Sequence, residues 1–398
     1  MPTEKQRDIA DDTLKWAHRS QDAKRINNLL DLARCEPSIP VLPDQLDRDP
    51  WLLNVQNGTI DLRTGEIRAH DPDDFITKLC PVIFDPAADC PTWRSFLSTI
   101  MPITAITEYL QRLAGYWITG RTTDHILPVL YGTGANGKST FVNTIFEVLG
   151  PDYSGKAPRD LLIAARGEKH PTAQAWLHGK RFVCCIETAD GARLDEALVK
   201  DLTGGGKITA RRMREDLWSF ESTHKIALVT NHKPQVRGTD YAMWRRLRVI
   251  PFTVMIPPER QDKELPDKLR KELPGILNWM LEGCSQLQQI GLADPLEVIL
   301  ATSQYRDEQD RLGAFITERC TIGKDLRASI SDFYKAYKEW CKANGEEEST
   351  NTAFGLAMGE RGYFKDKGKR NYIGIRLKTP DELRKEKEQA ERQDPKSG

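Results

Sequence analysis

The stretch YGTGANGKSTF, Tyr131 to Phe141, decides the fold. From Gly132 to Ser139 it fits the template GxxxxGK[ST] at every fixed position. Glycines let successive backbone NH groups turn inward around phosphate oxygens. Lys138 is then placed to reach the β and γ phosphates, and the Ser139 hydroxyl to ligate magnesium. The apolar run ILPVLY ends at Tyr131, just before the loop. After it, STFVNTIFEVLG puts Phe141, Ile145 and Val148 on one helical face and stops at Gly150-Pro151. The spacing predicts a strand, a loop and a helix whose N-terminus receives phosphate. The expected ligands are ATP and Mg2+, held by Gly132, Thr133, Gly134, Ala135, Asn136, Gly137, Lys138, Ser139 and Thr140.

Three further apolar runs follow this unit: RFVCCI before Glu187, HKIALVT before Asn231, and RLRVIPF beside the pair Arg245-Arg246. Short continuous runs separated by helical segments predict strands of a parallel sheet buried on both faces. Ligands of such sheets lie at the carboxyl ends of the strands, where these polar residues gather. Glu187 at a strand exit could hold magnesium through water and polarise the attacking water, with Asp190 as the weaker alternative. Cys184 and Cys185 are expected on opposite sheet faces, which argues against a shared metal site. The eight cysteines lack the paired spacings of a zinc site or a disulfide framework, so buried reduced thiols are expected.

Composition bounds the rest. The 398 residues are 39% hydrophobic and 29% charged, enough for two or three domains with their own cores. Lys plus Arg and Asp plus Glu both number 58, so overall charge predicts no nucleic-acid or membrane attraction. The N-terminus has no apolar core for a signal peptide, and no apolar run approaches the roughly 20 residues that cross a bilayer. A cytoplasmic protein is expected, in a bacterial host if phage or plasmid encoded. Local charge differs from the average: Gly204 to Ile250 holds ten Lys or Arg against four acids. Nucleic-acid phosphates are the natural partner of that excess, contacted by Lys207, Arg211, Arg212 and Arg214, with Trp218 stacking on a base. A solvated basic face is the alternative.

Along the chain, WLLNVQNGTIDLRTGEIRAH reads as a small hairpin or meander with turns at Asn57-Gly58 and Thr64-Gly65. A helical stretch is expected from Trp93 to Trp117, and an amphipathic helix at ILNWMLEGCSQLQQI. Residues 312–378 read as three helices followed by a basic hairpin around Gly368. Seven basic residues and one acid fall between 361 and 378. The charged stretch 379–398 is expected to be a flexible or frayed tail.

The order of these pieces resembles the superfamily 3 DNA helicases of the phage and plasmid primase type, a branch of the AAA+ ATPases. The matching pieces are YLQRLAGYWITG leading to the phosphate loop, GKRFVCCIETADG, EALVKDLTGGGKITARRMRE, KIALVTNHKPQVRGTD and WRRLRVIPF. They span roughly residues 108–252. The resemblance implies an α/β fold with an AAA+ type parallel-sheet P-loop ATPase core at 106–300. A small N-terminal α+β domain precedes it at 1–105, and a C-terminal winged-helix module follows at 301–378. It further implies that Glu187 is the acid of the second motif and Asn231 the sensor that orients attacking water. Arg245 and Arg246 correspond to arginines that act on a neighbouring subunit's ATP, without showing which is the finger.

The segment TGGGKITARRMREDLWSFES corresponds to a hairpin directed into the channel of a ring. Gly206 stands where relatives usually carry Asp. The upstream length is too short for a primer-synthesising domain, so a motor without primase activity is expected, alone or as part of a larger protein. The implied function is an ATP-driven DNA helicase of a phage or mobile element. It would form a hexamer, translocate on single-stranded DNA, open forked DNA, and work with a separate primase or replisome. An ATP-switched initiation or loading module, or another AAA+ motor for packaging or remodelling, is the alternative reading. The basic hairpin of the C-terminal module fits either a DNA wing or a protein-docking edge.

Overall fold

The computed structural model describes residues 3–393 apart from 38, 159, 165–171, 187–190, 213, 237–240, 347 and 369. The chain begins with helices α1 (Glu4–Ser20) and α2 (Ala23–Ala33), and α2 buries none of its residues. A three-stranded antiparallel meander follows: β1 (Leu52–Val55), β2 (Gly58–Asp61) and β3 (Glu66–Arg68). Val55 pairs with Gly58, so the first turn is Gln56-Asn57, one residue before the expected dipeptide. Gly65, at φ 78°, lies in the second turn. Leu53, Val55 and Ile60 are fully buried in the core shared with the sheet beyond.

The apolar stretch from Trp93 to Trp117 is two helices, α3 (Pro91–Ile100) and α4 (Thr104–Ile118), rather than one. Pro102 lies between them; it lacks an NH and disfavours helical backbone in the residue before it. The next elements are β4 (Leu127–Tyr131), α5 (Lys138–Tyr153), β5 (Ser154–Lys156), α6 (Thr172–Ala175), β6 (Phe182–Ile186) and α7 (Glu196–Leu202). Then come β7 (Lys207–Ala210), β8 (Trp218–Glu221), β9 (Lys225–Thr230), α8 (Tyr241–Trp244) and β10 (Leu247–Pro251). Five strands form one parallel sheet in the order β10-β4-β9-β6-β5. Every residue of β9 is buried, the expected consequence of covering both faces of a parallel sheet. Cys184 belongs to the core on one face and Cys185 to the core on the other. All cysteines are free thiols and only Cys35 is exposed. Helix α5 breaks at Gly150, whose φ of 70° and ψ of 175° are not helical, where the sequence places its stop.

Two cations are buried at the opposite edge of this sheet. Arg181 Nη1 donates to Ile118 O and Nη2 to Leu52 O, each at 2.5 Å, while Lys225 Nζ donates to Thr119 O. Ile118 and Thr119 end α4, so both cations meet the partial negative charge of a helix C-terminus. Burial pushes the Lys225 ammonium well below its ordinary pKa, and the Arg181 charge adds to the effect. The Leu52 contact ties the meander to the starts of β6 and β9.

Helices α9 (Leu265–Lys271), α10 (Leu273–Ile290) and α11 (Leu296–Gln309) complete the central body. A third core follows, built from α12 (Arg311–Arg319), β11 (Cys320–Ser329), α13 (Ile330–Ala343), α14 (Asn351–Glu360) and β12 (Asn371–Leu377). The basic hairpin expected around Gly368 is present in short form: Lys365 bridges Tyr372 in antiparallel register, Asp366 NH donates to Asn371 O at 2.8 Å and Ile373 NH to Phe364 O at 3.0 Å. Unforeseen is that β12 also pairs along its length with β11. β11 escapes a sequence reading because its register shifts between Ile322 and Arg327, which destroys the alternation of a strand.

The tail needs correction, since Pro380–Gln393 form helix α15. Glu, Lys, Arg, Gln and Ala favour helix even without apolar content. A reciprocal cap starts it: Glu382 NH donates to Thr379 Oγ1 at 3.3 Å, and Thr379 NH donates to Glu382 Oε2 at 2.7 Å. Arg376 adds a two-pronged bond to Glu382 at 2.6 and 2.7 Å, the main reason its carboxyl pKa falls to about 2.

Candidate nucleotide site

The loop after β4 is shaped by its glycines. Gly134, Ala135 and Gly137 take φ of 107°, 48° and 81°, and Gly137 is the N-cap of α5. A Cβ on Gly132 would lie 2.3 Å from both Asn136 Nδ2 and Phe252 O, and one on Gly137 would lie 2.6 Å from Ile100 Cγ2. Asn136 Nδ2 donates to Phe252 O at 3.1 Å, which fastens the loop to the end of β10. The sequence assigns Asn136 to the cradle but gives no sign of this brace.

Lys138 opens α5 and is only 4% exposed. Its Nζ donates to Gly132 O at 2.6 Å and to Asn136 Oδ1 at 2.9 Å. No carboxylate pairs with it among the described residues, and burial lowers its pKa to about 8. An ammonium held by neutral acceptors in a glycine cradle is poised for a polyanion, whose oxygens make stronger charge-assisted bonds. Gly134, Ala135, Asn136, Gly137, Lys138, Ser139 and Thr140 line a cleft of about 240 Å³, together with Ile186 from the end of β6 and Thr230 and Asn231 from the end of β9. Thr133 is exposed at the loop, and Ser139 and Asn231 are exposed at the cleft. The sheet thus brings Lys138, Ser139 and Asn231 together. Glu187 and Asp190 lie outside the described residues. No cluster of His, Cys, Asp or Glu able to hold a metal occurs among the described residues, so Ser139 is the described part of the expected magnesium site.

The arginine pair separates. Arg246 is buried, with Nε donating to Thr203 Oγ1 at 3.1 Å and Nη1 to Ala242 O at 2.6 Å. Arg245 is exposed. Arg246 is therefore engaged within its own chain, and Arg245 is the member presented outward.

The basic segment forms an antiparallel hairpin of β7 and β8, with Lys207, Arg211, Arg212 and Arg214 exposed along it. Lys207 lies 3.6 Å from Glu221 and Arg212 3.9 Å from Glu215, distances that leave both ion pairs weak and solvated. Trp218 does not fit its expected role as a free stacking ring. It packs 4.9 Å from the His178 ring and 5.0 Å from Phe220, with the Arg212 guanidinium 5.5 Å over it. Alternation along β8 turns Trp218 and Phe220 to the same face, against the body. Among the described residues, Leu217, 63% exposed, is an apolar residue presented near the tip. At Gly206 a Cβ would meet nothing within 4 Å, so the missing carboxylate leaves open space rather than a repacked contact.

A parallel sheet with a glycine loop and buried lysine at its carboxyl edge is the arrangement of a P-loop ATPase-like core. Comparison with known proteins narrows the class. Residues 2–102 match the family described as D5 N terminal like, and residues 307–376 match Poxvirus D5 protein-like. Residues 130–246 match a family of unknown function, DUF5906. The chain is 27% identical over 364 residues to "Putative helicase L207/L206" of Acanthamoeba polyphaga mimivirus, covering 84% of this chain and 36% of that protein. It is 24% identical to "Putative helicase 022R" of Frog virus 3, covering 77% and 40%. It is 26% identical to "Putative primase C962R" of African swine fever virus, covering 75% and 34%. The apo structure of the NrS-1 C terminal region matches at a TM-score of 0.44 and 12% identity, covering 73% of this chain and 77% of that one. The chain is similar to D5-like primase-helicases of the superfamily 3 type, and it spans between a third and two fifths of the length of these viral relatives. No helix among the described residues is long and apolar enough to cross a membrane.

Proposed function

We propose that the chain is the ATP-hydrolysing motor of a DNA helicase from a virus or other mobile element, active as a ring on single-stranded DNA. The observation that carries the nucleotide part is the buried Lys138 ammonium, whose acceptors among the described residues are the neutral Gly132 O and Asn136 Oδ1 inside a glycine cradle at a helix N-terminus. Entry of a triphosphate replaces those acceptors with phosphate oxygens, while the loop and α5 NH groups face the remaining charge. Mg2+, held by Ser139 and Glu187, would neutralise phosphate charge and help polarise the attacking water. Asn231 orients that water from across the cleft. Arg245, exposed and outward, supplies the cation that a neighbouring subunit's transition state needs.

The β7–β8 hairpin supplies DNA contact through Arg211, Arg212, Arg214 and Lys207, and phosphate attraction rather than Trp218 stacking carries it. Residues 1–105 form the small preceding domain, and 106–300 the motor. The order α12, β11, α13, α14, β12 supports a winged-helix reading of 301–378. Similarity to viral proteins named as helicases and primases supports a place in replication, with primer synthesis assigned to a separate domain or partner.

Lys138→Ala should abolish ATP hydrolysis and strand separation on forked DNA while leaving the fold intact by circular dichroism. DNA-stimulated hydrolysis retained in that variant would overturn the assignment. A module in which ATP only switches assembly would instead form oligomers on ATP addition with negligible turnover.

A further inference from the structure

We propose that Lys233 is a positioning residue of the nucleotide site, strapping the loop that carries Asn231 between the end of β4 and the last turn of α11. The inference rests on the reading of this cleft as an ATPase site. Asn231 forms no side-chain hydrogen bond among the described residues, so its aim into the cleft depends on what fixes its loop. Toward the strand, Thr230 closes a tight turn: its Oγ1 donates to His232 O at 2.7 Å and accepts from His232 NH at 3.1 Å. Beyond it the loop is held by α11. Lys233 Nζ lies 2.7 Å from Glu308 Oε2, Tyr305 OH donates to Pro234 O, and Val236 NH donates to Gln309 Oε1 at 3.1 Å.

Lys233 is the centre of this strap. Its side chain is 16% exposed, and its ammonium lies 5.0 Å from the Tyr131 ring and 5.5 Å from that of Tyr305, close enough for cation–π attraction to both. Tyr131 is the residue before Gly132, and its carbonyl accepts from Phe252 NH at 2.7 Å. Gln304 Nε2 donates to the other Glu308 oxygen at 2.9 Å, which fixes the carboxylate. One lysine therefore joins the strand that feeds the phosphate loop, the loop that carries Asn231, and α11.

The same turn of α11 continues into the C-terminal module. After Gln309 comes Asp310, which caps α12 by accepting from Gly313 NH at 2.9 Å and pairs with Arg361 past the end of α14. A cleft of about 510 Å³ separates Gln235 and Val236 from Ala353 and Phe354 of α14, beside that pair.

The test uses the full chain with Lys233→Met, Glu308→Gln, their combination, and Lys233→Arg. Fluorescent ATP-analogue binding, steady-state ATPase and amide hydrogen exchange are measured on each. Lys233→Met should lower kcat about tenfold, with the nucleotide Kd unchanged within about threefold. Glu308→Gln should do the same in part, the combination should be no worse than Lys233→Met, and Lys233→Arg should keep most of kcat. Exchange should quicken across 232–236 but not across the phosphate loop. Unchanged kcat and exchange, losses that multiply independently, or a Kd that rises with the fall in kcat would overturn the proposal. If unmodified protein turns over ATP no faster than Lys138→Ala, the ATPase reading fails instead, and hydrogen exchange still reports on the strap.

Discussion

The pKa of Lys138 gives a quantitative prediction. Burial lowers it to about 8 from the ordinary 10.5, a shift that corresponds to about 3 kcal/mol against the charged form. A bound triphosphate reverses this by surrounding the ammonium with negative charge. Near pH 8 about half of the free protein carries an uncharged Lys138, so each binding event should take up roughly half a proton, and more at higher pH. The apparent Kd should scale as 1 + 10^(pH−8), which is about a tenfold weakening between pH 7 and pH 9.

Folding stability moves the other way. Because the folded-state pKa lies below the unfolded one, the cost of the charged lysine is fully present below about 8 and is relieved as pH rises toward 10.5. Isothermal titration calorimetry above pH 7.5, in buffers of different ionisation enthalpy, reads the proton directly. Lys138→Arg is the control, since arginine does not titrate in this range. No uptake near pH 8, or equal uptake by the arginine variant, would refute the link between burial of Lys138 and nucleotide capture.

Three other perturbations test the assigned roles. Arg245→Ala should leave thermal stability and nucleotide binding intact while removing ATPase activity, whereas Arg246→Ala should cost about 1–3 kcal/mol in denaturant unfolding because the buried bonds from the guanidinium to Thr203 Oγ1 and Ala242 O are lost. Arg211→Ala with Arg214→Ala should weaken single-stranded DNA binding across sequences, and the slope of log K against log salt should fall by about 0.7 for each phosphate contact removed; an unchanged slope in anisotropy titrations would remove the hairpin from the DNA path.

The sheet was legible where chemistry demanded it. Strands β4, β6 and β9 are buried on both faces, so their sequences are nearly continuous apolar runs, and the edge strand β10 keeps that pattern apart from Arg248. Strand β5 is only Ser154–Lys156 and has no apolar residue to signal it. The division between α3 and α4 turns on Pro102, which a periodicity argument passes over because the apolar spacing resumes beyond it. Around the cleft, the loop before α5 was legible through Gly132, Gly134 and Gly137, because close approach or positive φ demands glycine at those positions.

The arginine pair could not be separated that way. Arg245 and Arg246 are chemically identical, and it is the folded chain, which sets Thr203 and Ala242 beside Arg246, that tells them apart. Trp218 misled for a similar reason, since a tryptophan in a basic hairpin serves equally well for stacking on a base or for packing. Lys233 counts in the sequence as one more positive charge, and its importance emerges only when Glu308, seventy-five positions away, is brought beside it.

The most direct test of the central claim is ATP turnover measured with and without single-stranded DNA, on protein whose assembly is imaged in the same samples. The account predicts closed rings, turnover that rises when single-stranded DNA is added, and loss of that turnover in Arg245→Ala without loss of the rings. Monomers that hydrolyse ATP at a rate indifferent to DNA would contradict it.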